Sequence, residues 1–182
     1  MDKNFLQPYL GVGYCPYGKS GDIPKEFFGR DIATMKKLGI NIFRPFVAWD
    51  RIEVEENKYD YSSLDTVFHE AEKQGLKIVL NVGGMFTQYA SMYPPRYLLW
   101  KKTHEVVSDP STGTRQFGPM RELCMDDPYY RERAMIFMTK TILRYKDSPA
   151  LVAWSLWNEC IYRKDGCFCE LTLKKFRDFL RE

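Results

Sequence analysis

INIFRPFVAWDRIEVEENKYDYSSLDTVFHEAEKQGLKIVLNV, Ile40 to Val82, reads as one strand–helix–strand unit, and that reading decides the fold. Ile40 to Phe46 is a short, nearly continuous apolar run, as expected of a strand covered on both faces. In the segment after it, Leu64, Phe68 and Ala71 share one helical face. Ser62 with Asp65 three residues on has the form of a capping box, and Gly75 supplies the C-terminal stop. Lys77 to Val82 is then a second apolar strand.

The alternation continues outward on both sides. Upstream, Tyr9 to Tyr14 is a strand bounded by Pro8 and Pro16. Asp22-Ile23-Pro24 opens a helix with Asp22 as its N-cap, and Phe28, Ile32, Met35 and Leu38 follow at helical spacing until Gly39. Downstream, Gly83 to Asp127 is too long for a simple connection, and its many aromatics favour an ordered, functional loop. Asp127-Pro128 opens a helix reaching about Tyr145 through Ala134, Met138 and Ile142. Leu151 to Trp157 is a fourth strand and Leu171 to Arg181 a fourth helix. The fold class is therefore α/β, built of parallel β/α units in a single domain over residues 1–182.

An open doubly wound sheet and a closed (β/α)8 barrel both remain at this point. The first βα turn, GVGYCPYG, has no third glycine leading into a helix, and Gly18-Lys19-Ser20 lacks the spacing of a phosphate loop, so a nucleotide-dependent enzyme is disfavoured. In a barrel, polar residues just past the carboxyl ends of the strands carry the chemistry. Here they are Arg44, Asn81, Asn158 and Glu159. On pattern alone, Glu159 is as readily a surface carboxylate capping a loop.

Composition removes other classes. Of 182 residues 45% are hydrophobic, enough for a sizeable core, and 27 Lys and Arg against 24 Asp and Glu leave a net charge of +3 in mixed sign along the chain. No basic stripe argues for nucleic acid, and no window approaches a membrane span. The start MDKNFLQPYLGVGY has no apolar run of signal-peptide length, so a cytoplasmic protein is expected. Five cysteines, an odd number, favour thiols or a metal site over a disulfide framework. His69 and His104 fall in a helix and a polar loop and read as solvated.

The segments GINIFRPFVAWDRIEVEENKYDYSSLD, KIVLNVGG, FGPMRELCMDDPYYRE and SPALVAWSLWNE, in this order, resemble the N-terminal half of the catalytic barrel of glycoside hydrolase family 42, the β-galactosidase-like enzymes. The likeness covers nearly the whole chain. It rests most on the block Ala48 to Tyr61 and on the ending Trp154-x-x-x-Asn158-Glu159. It implies about half of a TIM (β/α)8 barrel and a retaining β-glycosidase acting on an oligosaccharide or glycoside. Glu159 would be the general acid/base, Asn158 would bind the hydroxyl beside the anomeric carbon, and Arg44 would support the nucleophile, with Arg121 retained for substrate. Met120 stands where relatives carry an arginine, which bears on galactoside specificity.

Such chemistry needs an acid whose pKa is raised by apolar surroundings and a second carboxylate about 5–5.5 Å away. Trp154 and Trp157 are the candidates for those surroundings. Among the aromatics near the strand ends (Phe46, Phe86, Tyr89, Tyr93, Trp100), Trp49 follows its strand closely and is the candidate sugar platform.

No cofactor is required for catalysis, but the likeness also implies a structural zinc. Cys124, Cys167 and Cys169 match three of its ligands, whereas Thr172 stands at the fourth position. A replacement from Cys160 or Glu170, or a set of free thiols, are the alternatives. A whole barrel takes about 250 residues and eight units, and this chain supplies half of the units, without the nucleophilic glutamate expected after the seventh strand. Its partner is then the remainder of the barrel or a complementary chain. The other reading is a non-catalytic carbohydrate-binding or interaction module.

Overall fold

A computed structural model describes residues 8–17, 22–83, 94–100, 103, 107–109, 113–114, 116–117, 120–121, 123–156 and 166–182; within it, 100, 108, 109, 113, 114, 116, 117, 120 and 121 are described by backbone alone. In chain order the elements are β1 (Gly11–Tyr14), α1 (Phe28–Lys37) entered through a 3-10 turn, β2 (Ile42–Pro45), the short α2 (Trp49–Ile52), β3 (Glu53–Glu55), β4 (Lys58–Tyr59) and α3 (Ser62–Gln74). There follow β5 (Lys77–Asn81), α4 (Arg96–Trp100), β6 (Val107–Asp109), β7 (Gly113–Thr114), β8 (Gln116–Phe117), β9 (Met120–Arg121), α5 (Pro128–Tyr145), β10 (Leu151–Ser155) and α6 (Glu170–Phe179).

The four expected strands form one sheet in the order β1-β2-β5-β10, every neighbouring pair parallel. Each step moves one strand along, as in a barrel wall. Alternation along the strands sorts side chains to two faces. Phe43, Ile78 and Leu80 join Phe28 and Ile32 of α1, Leu64, Phe68 and Ala71 of α3, and Ala134 and Phe137 of α5 in the main core. That face is covered by helices. Arg44, Val79 and Asn81 alternate with those core residues and occupy the opposite face.

The helix starts differ from expectation in two places. Ser62 is not a capping side chain: it is the first residue of α3, and its N–H donates to Asp60 Oδ1 at 2.8 Å. Asp60, two residues earlier, meets the need that a capping serine would have met. Asp22 is likewise no N-cap; the 3-10 turn begins at Lys25, and Asp22 instead accepts from Arg51 Nε at 3.2 Å. One start and one end agree with the sequence. Asp127 caps α5, its Oδ1 accepting from Tyr130 N at 2.9 Å ahead of Pro128, and Gly75 closes α3 at φ 65°, where a side chain would be strained.

The hairpin β3–β4, unanticipated in the sequence, turns at Asn57 with φ 66°. It presents Glu53 to the interior. Glu53 is fully buried, accepts from Trp49 Nε1 at 2.6 Å and from Asn57 N at 2.9 Å, and pairs with Arg133 of α5. Arg133 donates further to Tyr97 Oη at 3.1 Å, Asn57 Oδ1 at 3.1 Å and Tyr59 Oη at 3.2 Å. A buried ion pair of this kind stands only because nearly every polar atom around it is engaged.

A second clamp lies further along α5. Arg144 reaches both Asp65 oxygens, at 2.8 and 2.6 Å, and Tyr145 donates to Asp65 at 2.7 Å. Partial burial pushes the Asp65 carboxyl up, but these hydrogen bonds and the guanidinium charge outweigh it and hold the group below the usual carboxylate range. A depressed acid contributes stability above its unfolded pKa and loses it as pH falls through the folded value. The side chains are 47% and 40% exposed, so solvent screens the pair. Asp65→Asn is expected to cost under about 1 kcal/mol at neutral pH. In urea titrations that difference should begin to shrink below about pH 4, the unfolded value, and vanish only once pH falls below the lower folded value.

The two ends of the sheet are apolar and open. Leu10 and Val12 at β1 are 57% and 40% exposed, and Val152 and Leu156 at β10 are 44% and 59% exposed. α6 buries none of its residues, and Phe176, Phe179 and Leu180 are exposed.

Candidate functional site

The carboxyl ends of the parallel strands bring one layer of side chains together on the face away from the helices. Phe46 bridges to Asn81, and Asn81 pairs with Ser155, so the three lie side by side across β2, β5 and β10. Arg44 lies on the same face, its guanidinium 4.9 Å from the centroid of the Phe46 ring. Asn81 is fully buried, and among the described residues neither its amide nitrogen nor its oxygen has a hydrogen-bond partner. A buried unpaired amide is costly and rare, and in a strand-end layer it marks a place shaped for a polar group. Two of the strand-end polar residues singled out in the sequence, Arg44 and Asn81, are therefore neighbours. Asn158, Glu159, Trp157 and Cys160 lie outside the described residues, as do Phe86, Tyr89, Tyr93 and His104, and nothing is described of the side chains of Trp100, Met120 and Arg121.

Trp49 is not a sugar platform. It is 0% exposed, stacked between Tyr130 and Phe137 at 6.1 and 5.3 Å, with its indole N–H on Glu53. Further chain could only bury it more. The close succession of strand and tryptophan reflects the short helix α2, which turns the ring back under α5. Trp154 also corrects an expectation: it pairs with Leu80 and packs on the helix-side core, away from the face of Asn81 and Ser155. The block from Ala48 to Tyr61 thus serves the fold, supplying Trp49, Glu53, Asn57 and Tyr59 to the Arg133 network.

The cysteine cluster is compact. Cys124 precedes α5, Cys167 and Cys169 precede α6, and the three sulfurs lie within 4.8 Å of one another. Cys167 Sγ and Cys169 Sγ are 3.7 and 3.5 Å from Cys124 Sγ, and all three thiols are free. Ligand sulfurs about 2.3 Å from a tetrahedral zinc are about 3.8 Å apart, so the donor set fits that ion. Burial pushes the Cys124 thiol up to about 12.

Among the described residues, Glu170 is not part of the group. Thr172 is, with Oγ1 at 3.3 Å from both Cys124 Sγ and Cys169 Sγ, and Asp126 stands behind it at 2.7 Å. Asp126 was missed in the sequence. Its one signal is its place two residues after Cys124 in CMDD.

A wall of parallel β/α units with polar residues gathered at the carboxyl ends of its strands defines a (β/α)-barrel protein. The sequence pattern of the glycoside hydrolase family 42 β-galactosidases matches residues 20–182, and the chain belongs to that family. It is 29% identical over 162 residues to a β-galactosidase of Clostridium perfringens, covering 88% of this chain and 22% of that protein. It is 30% identical over 176 residues to one of Haloferax lucentense, covering 95% and 25%. The solved β-galactosidase of the psychrophilic Marinomonas ef1 superposes with a TM-score of 0.73 at 26% identity, over 95% of this chain and 25% of that one. The chain spans about a quarter of the length of these relatives. Among the described residues no helix is long and apolar enough to cross a membrane.

Proposed function

We propose that this chain is part of the catalytic domain of a retaining β-galactosidase-like glycosidase. Glu159 is its general acid/base, Asn158 binds the hydroxyl beside the anomeric carbon, and Arg44 and Arg121 line the substrate site. The nucleophilic carboxylate comes from a strand outside these residues. The observation that carries this reading is the layer of Phe46, Asn81 and Ser155 at the carboxyl ends of adjacent parallel strands, with Arg44 on the same face two residues before Phe46 and with Asn158 and Glu159 following Ser155 closely in sequence.

Glu159, held protonated, gives its proton to the leaving glycosidic oxygen while the second carboxylate attacks the anomeric carbon. It then takes a proton from the water that releases the sugar. The apolar ends of the sheet and the unburied α6 support a remainder of the barrel, in this chain's extension or in a complementary chain, as the partner. Free thiols support a reducing, cytoplasmic setting. Cys124, Cys167 and Cys169 would hold a zinc that ties the segment before α5 to the start of α6 and takes no part in hydrolysis.

The purified chain alone is expected to leave a nitrophenyl β-galactoside unhydrolysed, and to gain turnover when the complementary barrel half is supplied. Turnover by the chain alone, abolished by Glu159→Gln, would overturn the external nucleophile. Saturable galactoside binding by a stable monomer that never gains turnover would replace the enzyme with a binding module.

A further inference from the structure

The fourth corner of the cysteine cluster holds a hydroxyl whose surroundings suit it to a role that threonine seldom fills. Thr172 Oγ1 has one proton, and it donates that proton to Asp126 Oδ2 at 2.7 Å. A carboxylate can only accept, so the direction is fixed. The remaining lone pairs of Oγ1 then face Cys124 Sγ and Cys169 Sγ, each 3.3 Å away. In a tetrahedral site with three sulfurs at about 2.3 Å and an oxygen at about 2.1 Å, sulfur and oxygen lie about 3.6 Å apart. The hydroxyl oxygen therefore stands where a fourth ligand would stand, at a spacing slightly tighter than that figure.

Asp126 is itself fixed. Its backbone N–H donates to Cys124 Sγ at 3.4 Å, and its Oδ1 accepts from Lys175 Nζ at 3.0 Å. An ionised carboxylate drawing on a hydroxyl proton makes the oxygen a better electron donor, as second-shell carboxylates do for metal-bound histidine.

We propose that Thr172, polarised by Asp126, is the fourth ligand of the cysteine centre, making it an S3O site for a divalent ion of the zinc type. The proposal rests on the reading that the three cysteines hold a metal. On binding, three thiol protons leave to solvent and Thr172 keeps its proton, shared with Asp126. Three thiolates and one divalent ion leave a net charge of −1, where a four-thiolate site would carry −2. Lys175 lies on the side where it offsets the Asp126 charge.

The test is zinc affinity of the reduced chain, by competition with a chromophoric chelator, together with the thiolate-to-cobalt charge-transfer band of the cobalt-loaded form. One equivalent is expected to bind. Thr172→Val and Asp126→Asn should each weaken zinc about 10- to 100-fold, and Thr172→Ser should bind as the parent does. Thr172→Cys should raise the charge-transfer band by about a third, from three thiolates to four. This gain serves even if the valine variant fails to fold.

Zinc binding in Thr172→Val equal to the parent's would overturn the threonine ligand. If Asp126→Asn alone weakened binding, Asp126 would be the direct ligand and the proposal would fail. An unchanged band in a tightly binding Thr172→Cys would also overturn it. A reduced parent chain that takes up neither ion would instead remove the metal reading on which the proposal rests.

Discussion

Arg133→Met should destabilise this chain by about 3–5 kcal/mol, seen as a lower urea midpoint at unchanged slope. The cause lies in what the substitution leaves behind. Glu53 is fully buried, and without the guanidinium its charge is left to neutral donors, the Trp49 and Asn57 N–H groups and the Tyr59 and Tyr97 hydroxyls. Tyr59, Tyr97 and Asn57 lose their donor at the same time. Native domains carry only about 5–15 kcal/mol in total, so the loss is a large share of the whole. Arg133→Lys should recover little, since one ammonium cannot span partners held by a planar fork. Adding Glu53→Leu to Arg133→Met should recover part of the loss, because the buried charge is gone. The Trp49 indole N–H then stays unpaired at about 1–3 kcal/mol. An Arg133→Met chain within about 1 kcal/mol of the parent would show that the pair is not what holds α5.

Glu159→Gln, made in a protein that also contains the second half of the barrel, should lower kcat/KM about 10²- to 10⁴-fold on an alkyl galactoside. Glutamine keeps the shape and hydrogen bonds of the site but has no proton to give. The deficit should shrink on a dinitrophenyl galactoside, whose leaving group departs without protonation. The alkaline limb of the pH profile, set by loss of that proton, should disappear. Equal losses on both substrates would point to a binding role, and near-parental turnover of the alkyl galactoside would remove Glu159 from the chemistry.

The architecture was readable because its strands and helices obey different periods. Phe43, Ile78 and Leu80 against Leu64, Phe68 and Ala71 carry that signal, and they meet in one core. What escaped was set by contacts between distant residues. Glu53 and Arg133 are 80 positions apart, and no local pattern marks either as buried. The hairpin turn at Asn57 uses an asparagine at positive φ with no glycine to announce it.

Ser62 fitted a capping box because its partner three residues on is acidic, yet Asp65 is turned toward Arg144. Trp49 shows the limit of reading a site by distance from a strand, since the same position suits a pocket rim or a helix folded under the core. The cysteine cluster was legible because sulfur pairs at short spacing have few other uses. Asp126 was not, because a carboxylate beside a cysteine has many.

The two clamps on α5 have one more consequence. Glu53 with Arg133, Tyr61 with Thr141, and Asp65 with Arg144 fix that helix to the second β/α unit along its length, across separations of 80, 80 and 79 residues. The position of α5 is therefore set mainly by the second β/α unit, with Tyr97 the point at which the segment leading in from β5 joins the same network. The entropy of closing a loop grows only logarithmically, about 0.6 kcal/mol for each doubling of length. Insertions between β5 and α5 that leave Tyr97, Leu98, Leu123 and Cys124 in place are thermodynamically cheap as long as the clamps stay intact, so length can vary there without moving the helices.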